Sequence, residues 1–147
     1  MRIINGKAAD DIRRRFADSF INRTSEYYKT AIRETRMCSD GMCYLGRLWV
    51  CFHERIMIAE DKAVETAKEF PKLLIMWDLN SADRIKIPGY WKYPKRAVLQ
   101  ITPNELETVL PTLPEDVYVF DEDCTRVVAF TNEQVSKGRY CVYCQSK

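Results

Sequence analysis

The chain has 147 residues, 46% hydrophobic and 30% charged, with a net charge of only +2. That length suits one domain with a real core, and the even spread of apolar residues excludes a disordered chain. No apolar run approaches the roughly 20 residues that a bilayer span needs, so no membrane association is expected.

Charge is unevenly placed. Residues 84–101 hold five basic side chains and no acid, whereas residues 102–135 hold eight acids against one base. A bipolar chain of this kind argues against wholesale binding to a phosphate backbone. The N-terminal residues lack the apolar core of a secretory leader, so a cytoplasmic protein is expected. Its six cysteines are accordingly read as thiols or metal ligands rather than disulfides.

Residues 8–36 carry Ile12, Phe16, Phe20, Tyr27 and Ala31 at helical spacing, which predicts a long amphipathic helix. The weak helix formers Asn22, Arg23, Thr24 and Ser25 are where it would break in two. Residues 44–53 read as a buried strand and residues 60–70 as a short helix stopped by Pro71. The apolar run Leu73–Trp77 reads as a central strand. Residues 78–94, with Pro88, Gly89 and Pro94, read as a long loop, and a strand resumes at 96–101.

Thr102, Pro103 and Glu105 compose a capping box with proline at the first helical position, predicting a helix from 102 to about 110. Residues 117–120 and 125–130 flank a polar turn, as a hairpin requires, and 139–144 supplies a last strand. The expected architecture is α+β: a single domain over 1–147, helical at 8–36 and α/β at 44–147. Its sheet is mostly antiparallel with about five strands, and the long N-terminal helix and two shorter ones pack on one side.

Three stretches together carry a resemblance. They are Leu48-Trp49-Val50-Cys51-Phe52-His53-Glu54, the capped helix at 102–110, and residues 116–121 running on to Tyr140-Cys141-Val142-Tyr143-Cys144. This arrangement resembles a group of small bacterial domains of unknown function, common in bacilli and clostridia. The likeness spans roughly the last two thirds of the chain and rests on strand patterns that many folds share. Residues 78–94 do not align with it, and it implies no catalytic residue.

Three constellations could carry chemistry. Cys38 and Cys43 flank a turn, and Cys141 and Cys144 form a CxxC, so the four could hold a structural zinc if the fold joined them. Against this, a CxxC within a strand sends its thiols to opposite faces. The only histidine, His53, lies two residues from Cys51, on one face of the expected strand but without the geometry of a nucleophilic pair. No phosphate loop or hydrolase motif appears, so neither an enzyme nor a cofactor is expected.

The third constellation is a binding surface. Residues 84–96 interleave Arg84, Lys86, Lys92, Lys95 and Arg96 with Tyr90, Trp91 and Tyr93, without an acid. Aromatics with basic residues are what interface centres favour. The function expected is a small protein-binding factor of inhibitor, immunity or regulatory type. Tyr90, Trp91 and Tyr93 would be its anchors, with Lys92, Lys95 and Arg96 steering the partner. The alternative is a nucleic-acid-binding module, stacking bases on those rings, with the cysteine-ligated zinc as its staple.

Overall fold

A computed structural model describes residues 1–38, 41–79, 92–136 and 138–147. The chain is α+β, built on a seven-stranded antiparallel sheet in the order β1-β6-β5-β7-β8-β9-β4. The strands are β1 (Arg2–Ile4), β4 (Ile56–Ile58), β5 (Leu73–Trp77), β6 (Val98–Ile101), β7 (Val117–Asp121), β8 (Arg126–Val135) and β9 (Gly138–Gln145). A separate two-stranded ribbon pairs β2 (Arg36–Cys38) with β3 (Gly41–Cys43). The sheet exceeds the expected five strands because β1 and β4, three residues each at the two edges, are too short to show a period-two pattern.

Helices cover both faces, where one face was expected. Helix α1 (Gly6–Phe20) lays Ala9, Ile12, Phe16 and Phe20 on the first face, against Met76, Tyr118, Phe120 and Val142. Helices α2 (Glu60–Lys68) and α3 (Leu106–Val109) lie on the second, where Ala63, Ala67 and Leu106 join Ile75, Leu99, Val119 and Phe130. Strand β5 is the central consequence. Leu74 and Met76 face α1, Leu73, Ile75 and Trp77 face α2 and α3, and all five are buried. An unbroken apolar run is what a strand covered on both sides requires.

The expected helix over 8–36 stops at Phe20. Ile21 bridges to Phe52, and the Asn22 N–H donates to the Cys51 carbonyl at 2.7 Å. The Asn22 side-chain oxygen then accepts from both the backbone N–H and the hydroxyl of Thr24, and Ser25 Oγ accepts from the Tyr28 N–H. Such short polar side chains compete with the helix for backbone partners. A π-helical turn, Tyr28–Ile32, follows.

Residues 44–53 do not form the expected strand. Leu48–Cys51 is a 3-10 turn whose Leu48 and Trp49 N–H groups donate to the side chains of Asp78 and Tyr118. Gly46 is pressed against Tyr27 and Ala31, where a Cβ would lie 2.7 Å from the Tyr27 hydroxyl. The capping box at Thr102 and Glu105 is present, opening the 3-10 turn Pro103–Glu105 ahead of α3. The meander β7-β8-β9 pairs as expected, and Asp121 fastens its first turn by accepting from the Thr125 and Arg126 N–H groups. Among the described residues no helix is long and apolar enough to cross a membrane.

Candidate functional site

The basic aromatic segment lies between β5 and β6. Arg84, Lys86, Tyr90 and Trp91 fall outside the described residues. Its feet are described, and one half-buried side chain from α1 holds both. The Arg13 guanidinium donates to the Trp77 carbonyl at 3.1 Å on one side, and to the carbonyls of Arg96 at 3.0 Å and Ala97 at 3.2 Å on the other. A longer bond, 3.4 Å, reaches the Lys95 carbonyl. The planar fork of an arginine suits this convergence, since it offers five donors in fixed geometry. Burial pushes its pKa down to about 10, which leaves it charged at neutral pH.

The second tie is Trp77. Its indole N–H donates to the Lys95 carbonyl at 2.8 Å, and its ring stacks on Tyr93 with centroids 6.3 Å apart. Tyr93 is half-buried and packs against the core on the α2 side. Part of its ring is therefore taken up by the fold. Arg96 is likewise spoken for, with its guanidinium 2.9 Å from the Asp10 carboxylate of α1. Lys92 is exposed, its ammonium 5.9 Å from the Tyr93 ring.

Beside the frame lies a buried polar hub that sequence reasoning missed. Asp78, immediately after β5, is 1% exposed. Its carboxylate accepts from the Tyr118 hydroxyl at 2.7 Å, the Tyr44 hydroxyl at 2.8 Å and the Leu48 N–H at 3.0 Å. Burial pushes its pKa up to about 7 and raises both tyrosines well above their ordinary range. Asp116 forms a second hub, accepting from the side chains of Arg47 and Trp49 and from the Asn132 N–H. Burial raises its pKa as well.

Together these carboxylates fasten the irregular 44–51 segment to the sheet. With Asp78 closed off from solvent, its chemistry is fastening rather than proton transfer to a substrate. The sequence signal was an aspartate directly following a run of five buried residues, which demands partners.

The four cysteines proposed as zinc ligands do not converge. Cys38 and Cys43 are joined to each other as a disulfide within the β2–β3 ribbon, which also corrects the reading of these residues as thiols or metal ligands. Cys141 faces α2 and Cys144 faces α1, as three-residue spacing along a strand dictates. No cluster able to hold a metal ion occurs among the described residues.

Cys144, not Cys51, is the thiol near His53, with Sγ 3.7 Å from Nε2. Burial pushes the Cys144 thiol up to about 11, the opposite of an activated nucleophile. Iodoacetamide at pH 8 should therefore leave Cys144 unmodified in the folded protein, with or without a His53→Ala substitution. Mass mapping of the alkylated peptide checks this, and rapid alkylation that His53→Ala abolishes would restore the pair.

Comparison with protein-family models, curated proteins and solved structures returns no match. Function is therefore read from geometry. The buried groups serve the frame that joins β5 to β6. A shallow depression of about 200 Å³ lies at the Leu110–Thr112 turn, walled by Leu110, Pro111, Pro114 and Arg139. Arg139 is committed there to the carbonyls of Phe130, Thr131 and Glu115.

Proposed function

We propose that this chain is a small cytoplasmic protein-binding factor of inhibitor, immunity or regulatory type, acting through the basic aromatic stretch at 84–96. The observation that carries this reading is Arg13, a buried guanidinium spent on the carbonyls at both feet of that stretch. Pinned feet lower the ordering cost that binding imposes on a connecting segment, which is how preorganisation raises affinity. The composition of the stretch supports the rest. Tyr90 and Trp91 are apolar rings with polar handles, and Arg84, Lys86 and Lys92 steer toward an acidic partner surface. Tyr93 and Arg96 hold the frame instead.

The test substitutes Tyr90, Trp91 and Lys92 with alanine and spares Tyr93. In affinity purification from the native cells, a protein retained by the wild type should be lost from the variant. The thermal midpoint should stay within about 2 °C if the three side chains serve binding. Equal retention by wild type and variant sinks the reading. So does tight binding of a single-stranded 30-mer that weakens steeply with salt, which favours the nucleic-acid alternative.

A further inference from the structure

Among the described residues the β2–β3 ribbon pairs with no strand of the main sheet. Each strand has three residues, and Met37 at its centre is 80% exposed. A two-stranded ribbon of this size is marginal in water without further support. Its cross-link joins Cys38 to Cys43, whose Cα atoms are 6.6 Å apart. Directly after it, the Tyr44 N–H donates to the Leu79 carbonyl at 3.0 Å and the Tyr44 hydroxyl to Asp78. The ribbon is therefore closed by its own cross-link and anchored at Tyr44.

The other four cysteines differ in kind. Cys51, Cys124, Cys141 and Cys144 are all buried in the two cores. Burial pushes Cys51 and Cys141 up to about 12 and Cys124 and Cys144 up to about 11. Cys38, half-buried at the end of β2, is the sulfur a reagent can reach, while Cys43 is buried.

We infer that Cys38 and Cys43 form a reversible thiol–disulfide site, and that opening it with a dithiol reductant unfolds the β2–β3 ribbon locally while the seven-stranded sheet stays intact. A thiolate of the reductant attacks Cys38 Sγ, forming a mixed disulfide and breaking the bond to Cys43, whose thiolate leaves and takes up a proton. The second thiol of the reductant then displaces Cys38, which is protonated in turn. The reductant departs as a cyclic disulfide, having passed two electrons to the protein. Among the described residues the ribbon then keeps its three-residue strand pairing, which does not hold it closed.

The full chain, oxidised or treated with dithiothreitol, gives the test. Maleimide labelling under native conditions should modify no cysteine in the oxidised form and only Cys38 and Cys43 after reduction. Hydrogen exchange across residues 36–44 should accelerate about tenfold or more on reduction, with β5–β9 protection unchanged. A Cys38→Ser, Cys43→Ser variant should show the fast exchange even in oxidant. Six thiols titrating in denatured, oxidised protein would overturn the inference. Equal exchange of 36–44 in the two redox states, or native labelling of the four core cysteines, would do so as well.

Discussion

Arg13→Met should lower stability by about 4 kcal/mol, the larger of two effects expected from single substitutions in the frame. Methionine keeps much of the side-chain volume, so the loss reports the hydrogen bonds. The carbonyls of Trp77, Lys95, Arg96 and Ala97 would lose their shared donor. A buried polar group without a partner costs about 1–3 kcal/mol, and water admitted at the rim recovers part of that for some of the four. The Asp10–Arg96 pair, exposed on both sides, does not compensate. In a chain of this size the thermal midpoint should fall by about 10 °C or more. Arg13→Lys should recover less than half, because an ammonium is a compact charge without the planar fork. Urea unfolding followed by circular dichroism measures both. If Arg13→Met comes within about 1 kcal/mol of wild type, the feet of the basic stretch are held by something else.

How much of this was legible beforehand follows from where the backbone finds its partners. The elements read correctly are those that satisfy themselves locally or by a regular ladder. The capping box at Thr102 and Glu105, the apolar face of α1 and the β7-β8-β9 meander all carry their signal within a few residues. The misread segment, residues 44–53, looks like a strand in composition. Its backbone donors go to Asp78 and Tyr118, roughly 30 and 70 residues away, and no local pattern announces such bonds. The edge strands β1 and β4 are defined only by their neighbours, Val98–Ile101 and Gly138–Gln145. Arg13 carries no local signal of its role, since its four acceptors are carbonyls 64 to 84 residues away. The basic aromatic stretch was visible as composition. That Tyr93 and Arg96 belong to its frame could be learned only from Trp77 and Asp10 beside them.

The two halves of the site also differ in what they ask of the fold. The binding half needs charge and aromatic side chains, which composition reveals. The buried half needs every polar atom matched, because a carboxylate such as Asp78 in a dry interior is costly unless its bonds are complete. Arg13 spends its donors on carbonyls, and among the described residues no cation bonds Asp78 directly. It leans on two tyrosine hydroxyls and one N–H.

That arrangement makes Asp78 the source of a pH-dependent stability. In the folded state it titrates at about 7, against an ordinary value of 3.8. Between those values the folded chain holds a proton that the unfolded chain has released. Stability therefore falls as pH rises through the window, and the loss levels off above pH 7 at about 4 kcal/mol. Asp116, also raised by burial, acts with the same sign, so the measurement must be a difference. Asp78→Asn cannot titrate. Its unfolding free energy, relative to wild type, should improve by about 3 kcal/mol between pH 4.5 and pH 8, even if the substitution costs stability at pH 4.5. Parallel curves for the two proteins would mean that Asp78 is charged throughout, held so by its three donors and the nearby Arg13. Tyr44→Phe separates the two cases. Removing one donor to the carboxylate should carry the fall in stability to higher pH if Asp78 is the titrating group, and should leave the pH profile unmoved if it is not.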